Sequence, residues 1–126
     1  MSLNDETRYK MVFYLEKFGY IKSEPIKNAF LKVDRSKFIP ENLKEEAYRD
    51  SPLSIGCGQT ISAPSMIALM LEVSDLKRGL KILEIGAGSG YNAALIAEIC
   101  GEENVVTIER IAEVYQFGME NLIKAG

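Results

Sequence analysis

The pattern of apolar and polar positions changes character near residue 80. Before it, apolar residues recur at helical spacing. Met11, Leu15 and Phe18 predict a helix over 5–18, with Gly19 as its C-terminal stop. Ile26, Ala29, Phe30 and Val33 share one face of a second helix that Ser23 can cap. Pro40 opens a third helical stretch, Glu41 to Tyr48. Residues 51–61 hold Pro52, Gly56 and Gly58 and read as loop with short extended pieces. Ser62 reads as the N-cap of a helix that carries Pro64 in its first turn and runs to Val73. Lys77 to Gly79 is a turn. After it come two apolar runs, 80–85 and 104–109, each followed by a helical stretch, 91–100 and 112–124. That βαβα alternation predicts α/β architecture with a parallel sheet. The expected organisation is a helical segment with a loop over 1–78 and a sheet unit over 79–126.

Both apolar runs have the character of central strands covered on two faces. Two such strands leave their outer edges unpaired and do not make a stable sheet. The expectation is therefore an α/β fold truncated after the second strand–helix unit, whose exposed edge recruits other copies of the chain.

Composition narrows the chemistry. The chain has 126 residues, 47% of them hydrophobic and 26% charged, with a net charge of −3. These values suit one ordinary globular domain. No basic cluster suggests nucleic acid. No apolar run is long enough to span a bilayer, and the first residues lack a signal-peptide core. Cys57 and Cys100 form no C-x-x-C and read as reduced thiols of a cytoplasmic protein, Cys57 as a small packing residue. The chain has no histidine. That removes Ser-His-Asp and Cys-His catalysis, and no metal site is expected.

The strongest local signal is Leu83-Glu-Ile-Gly-Ala-Gly-Ser-Gly-Tyr91. A strand ends in Glu84, breaks into Gly86, Gly88 and Gly90, and opens a helix. Such a turn lets a ligand approach the backbone and offers it free helix N–H groups. Tyr91 stands where the third glycine of a dinucleotide fingerprint belongs, which favours S-adenosylmethionine over NAD. Glu109 ends the next strand 19 positions after Gly90. That spacing suits an acid accepting from two ribose hydroxyls. The alternative is a cap for the helix that follows.

Three further stretches, Asp50-Ser-Pro52, Gly58-Gln-Thr-Ile-Ser-Ala-Pro64 and Val33-Asp-Arg-Ser-Lys-Phe-Ile-Pro40, complete a resemblance. Together with the glycine loop and Thr107 to Arg110 they closely resemble the protein-L-isoaspartate O-methyltransferases, over roughly residues 8–126. The resemblance implies a Rossmann-like sheet that binds S-adenosylmethionine. It implies methyl transfer to the α-carboxylate of isoaspartyl residues in damaged proteins. It also implies Ser62 as the active-site residue, Gln59, Thr60, Ile61 and Ser62 as cofactor-binding residues that line the cofactor and substrate pocket, and Ser89 and Glu109 as cofactor contacts. Ser65 departs from the histidine or tyrosine that many members carry there. Family members also continue well beyond this chain, so on its own the chain is expected to be inactive or nearly so.

Such a reaction suits a chain without histidine. An α-carboxylate is already ionised at neutral pH, so no general base is needed. Positioning and exclusion of water carry the catalysis. Glu84 can reach the cofactor's amino group or serve as a plain strand-end acid. Asp50 can contact substrate or pin its loop. Two rival readings remain: a class I methyltransferase acting on a small molecule, and a non-catalytic binding module. The first leaves Gln59 to Ser62 unexplained.

Overall fold

The computed structural model describes residues 2–126. Helix α1 (Leu3–Lys17) starts two residues earlier than its apolar spacing suggests. The cause is a capping box: the Asp5 N–H donates to Ser2 Oγ and the Ser2 N–H returns to the Asp5 carboxylate, both at 3.1 Å. Gly19, at φ +79°, ends the helix as predicted. Its N–H donates to the Glu16 carbonyl, and that of Tyr20 to Leu15, a Schellman pattern. Met11 and Leu15 are buried, joined by Val12. Phe18 corrects the expected stripe: it is 61% exposed and rests on the Tyr14 ring at 4.9 Å.

Helix α2 (Glu24–Lys32) buries Ile26, Ala29 and Phe30, with Val33 beyond its end. Ser23 flanks its start but does not cap it. The Ser23 hydroxyl and N–H both donate to the Glu72 carboxylate at 2.9 Å, and the Lys22 N–H joins them. A distant glutamate thus engages the serine's own hydroxyl and the chain ahead of the helix. Tight 3-10 turns follow at Arg35–Phe38 and Glu41–Glu46. The second replaces the expected helix over Glu41 to Tyr48. None of its residues is buried, so packing gives it no reason to lengthen.

The glycine-containing stretch is a hairpin. Strands β1 (Leu53–Gly56) and β2 (Gln59–Ile61) pair antiparallel, Leu53 opposite Ile61. Cys57 and Gly58 turn between them, both at positive φ, as a type I′ turn requires. Cys57 is exposed at this tip, which corrects its reading as a packing residue. Helix α3 (Pro64–Val73) is flanked by Ala63, and no Ser62 cap forms. The Asp50 carboxylate instead accepts from the Ser65 N–H at 2.9 Å.

Strands β3 (Ile82–Ile85) and β4 (Val105–Ile108) pair in parallel, Ile82 against Val105 through Ile85 against Ile108. Helices α4 (Tyr91–Cys100) and α5 (Ala112–Ala125) follow them in turn. One hydrophobic cluster joins Leu15, Phe30 and Phe38 to Tyr91, Leu95 and Ile99. Ile82 and Val105 pack against it, whereas Leu83, Ile85, Val106 and Ile108 point outward and are exposed. The second face expected to be covered is open among the described residues. No helix is long and apolar enough to cross a membrane.

Candidate functional site

The glycine loop lies across the C-terminal ends of β3 and β4. The N–H groups of Gly86 and Ala87 both donate to the Ile108 carbonyl, at 2.8 and 2.9 Å, which fixes the loop to the neighbouring strand. Gly90, at φ +90°, takes the left-handed conformation just before α4. A Cβ there would also stand 2.9 Å from Leu122, so position 90 admits only glycine on two grounds. At Gly86 a Cβ would meet nothing within 4 Å. That side of the loop is open to an approaching group.

Two acids frame the loop. Glu84 accepts from the Thr107 hydroxyl at 2.5 Å and from Asn92 Nδ2 at 2.7 Å, tying β3 to β4 and to α4. Each carboxylate oxygen holds one donor and keeps capacity for a second. Glu109 Oε1 accepts from the Gly88 N–H at 2.9 Å. Its Oε2 accepts from the N–H groups of Arg110 and Ile111, at 3.0 and 3.2 Å. The Gly88 bond, with those of Ile111 and Arg110, holds its carboxyl below the ordinary value of 4.5 against slight desolvation. Glu109 therefore grips the loop and the chain entering α5 at once.

The hairpin reaches the same place. A side chain at Gly88 would meet Ile55 Cδ1 at 3.8 Å, so β1 packs on the glycine loop. Gln59 and Thr60 are exposed on β2, Ser62 is half-buried just beyond it, and Ile61 is buried in the core. Ser89 is buried too, its Oγ accepting from the Tyr91 N–H at 3.3 Å. With Asp50 on Ser65, the Ser62 hydroxyl is released from capping duty.

Helix α5 supplies two residues that the sequence reading passed over. Asn121, buried, donates from Nδ2 to the Ser89 carbonyl at 3.0 Å. Gly118 lets the helix touch the loop: a Cβ there would stand 2.5 Å from the Gly88 carbonyl oxygen. A glycine inside an otherwise helical pattern was the available signal. A groove of about 540 Å³, bordered by Lys32, Asp34, Arg78, Glu98 and Thr107, involves neither the glycine loop nor the hairpin. Among the described residues no cluster of three or more His, Cys, Asp or Glu could hold a metal ion.

The family model for protein-L-isoaspartate(D-aspartate) O-methyltransferase matches residues 6–126. The chain belongs to this family. A protein-L-isoaspartate O-methyltransferase from Hyperthermus butylicus is 50% identical, over 96% of this chain and 54% of its own length. One from Methanopyrus kandleri is 51% identical, over 94% and 53%. A Plasmodium falciparum family structure in complex with S-adenosyl-L-homocysteine superposes with a TM-score of 0.80 at 34% identity, covering 92% of this chain and 55% of that one. The fold is the Rossmann-like methyltransferase fold of that family, and the chain spans about half the length of the relatives it matches.

Proposed function

We propose that this chain forms the cofactor-binding part of a protein-L-isoaspartate O-methyltransferase, which methylates the α-carboxylate of isoaspartyl residues in damaged proteins. The observation that carries the reading is the junction of three pieces at Gly88: its N–H held by Glu109, its carbonyl against Gly118, and Ile55 of the hairpin beside it. Ile55 lies on β1, which pairs with the strand that carries Gln59 to Ile61, the family's most specific stretch.

S-adenosylmethionine fits this loop and, when bound, supplies an electrophilic methyl group. Gly86, Gly88 and Gly90 would leave the backbone open to it. Glu109 would offer the acceptor site left on Oε1 to a ribose hydroxyl, and Glu84 would turn its remaining capacity toward the amino group. Buried Ser89 would contribute by shaping the loop. Gln59, Thr60 and the backbone of Ile61 would line the cofactor and substrate pocket. Ser62 is proposed to orient the acceptor carboxylate, its hydroxyl being free of capping. No residue of the chain need remove a proton, since an α-carboxylate is ionised at neutral pH. The division into 1–78 and 79–126 would then separate a lining unit from a cofactor unit that share one core.

We place the protein in the cytoplasm, a reading supported by two cysteines that stay unpaired. In isolation the chain should self-associate through an exposed sheet edge, and it should be inactive or nearly so.

Two peptides that differ only in an aspartyl or isoaspartyl linkage test the function. The intact enzyme should methylate the isoaspartyl form and leave the other untouched. Equal rates on both, or transfer to a small molecule alone, would reject it.

A further inference from the structure

Arg35 is fully buried, and two of its three guanidinium nitrogens have no hydrogen-bond partner. Nε alone is satisfied, donating to the Ala47 carbonyl at 2.6 Å. A buried charge left half-paired is a poor source of stability. An apolar side chain of similar volume usually serves at least as well. Its surroundings suggest what it does instead. The guanidinium lies 5.2 Å from the centre of the Tyr91 ring. Tyr91 is the first residue of α4, directly after Gly90, and only 1% exposed. Phe38 at 5.6 Å and Phe30 at 6.3 Å close around the same ring. On its other side Arg35 holds the segment that runs from Ala47 to Asp50. That segment ends in the carboxylate fixing the Ser65 N–H, three residues past Ser62.

We propose that Arg35 is a positioning residue: through Tyr91 it sets the glycine loop, through Ala47 and Asp50 it sets the Gln59–Ser62 edge, and it fixes the distance between them. Cofactor affinity then depends on a residue of the N-terminal helices that touches neither cofactor nor substrate. This rests on the functional reading above only where it concerns cofactor and substrate. A planar cation suits the task because it stacks on a ring face while its edge donates to backbone, which lysine cannot do.

Hydrogen exchange and cofactor binding together test it in the intact protein. Arg35→Met should fold with little change in Tm. It should speed exchange at the amides of 86–94 and 59–66 about tenfold, and leave α1 and α2 as they were. The dissociation constant for S-adenosylhomocysteine should rise by about the same factor. Tyr91→Phe keeps the ring and should match wild type. Tyr91→Leu removes it and should loosen the same two segments, a second route if Arg35→Met does not fold. Uniform loosening of the chain, or unchanged exchange at both segments in Arg35→Met and Tyr91→Leu, would overturn the proposal. Wild-type protein that fails to bind S-adenosylhomocysteine would sink the cofactor reading, and the exchange pattern would still decide the role of Arg35.

Discussion

Glu109 anchors the glycine loop with its carboxylate, and the cofactor contact proposed for it would carry a different signature. Its folded value lies below the ordinary 4.5 because the ionised form accepts three backbone N–H bonds, the Gly88 bond foremost. A lowered value means the anchor contributes in full above about pH 4.5 and is lost as pH falls through the lower folded value. The protection of the Gly88 amide, its exchange rate relative to that of the unfolded chain at the same pH, should therefore fall in acid and show no step on the alkaline side. Glu109→Ala in the intact enzyme should weaken cofactor binding by about 1.5–3 kcal/mol, roughly tenfold to a hundredfold. Calorimetry giving an unchanged dissociation constant would remove Glu109 from the site. Ser62 and Asp50 make a second pair. Because Asp50 and not Ser62 serves the start of α3, Ser62→Ala should lower turnover and leave Tm unchanged. Asp50→Ala should cost about 1 kcal/mol of stability. A Ser62→Ala protein that melts early and turns over normally would return Ser62 to a structural role.

At the level of elements, the loop is held from three sides: β4 through the Ile108 carbonyl, the hairpin through Ile55, and α5 through Asn121 and Gly118. The α5 contact is the tightest. Gly118→Ala would raise helix propensity by about 1 kcal/mol. It would also place a methyl 2.5 Å from the Gly88 carbonyl. We expect the clash to win, with a net loss of about 1–3 kcal/mol in urea unfolding and weaker cofactor binding. A stabilised Gly118→Ala would show that α5 can retreat from the loop. Glu72 shows the same economy elsewhere, one side chain of α3 serving the chain ahead of α2.

For the whole molecule, the open sheet face is the dominant fact. Ile85 is 80% exposed and Val106 59%, and the outer edges of β3 and β4 carry no partner strand among the described residues. Apolar faces and unpaired edges of this kind recruit other chains. Light scattering of the isolated chain at low micromolar concentration should therefore report dimers or larger species. Replacing Leu83 and Val106 by polar residues should shift it toward monomer. A stable monomer that binds S-adenosylmethionine tightly would show that this half of the fold needs no cover.

Local rules sufficed where the cause was local. The boundaries of α4, the Gly19 stop, the buried stripe of α2 and the parallel pairing of β3 with β4 follow from spacing, glycine and alternation. So does the glycine loop with its following acid, and the motif residues were enough to indicate the family. Tertiary structure decided the rest, because each remaining answer lies in a partner far along the chain. Asp50 takes the N–H that Ser62 was expected to serve, and Glu72 binds the Ser23 hydroxyl that was expected to cap α2. Phe18 lies exposed against the Tyr14 ring, and Val12 is buried instead. Gly118 acquires its purpose only when α5 meets the loop, and Arg35 only when its charge is enclosed over Tyr91. Hydrogen bonds and excluded volume act on whatever is near in space, and nearness across 15 to 50 residues is a property of the folded chain.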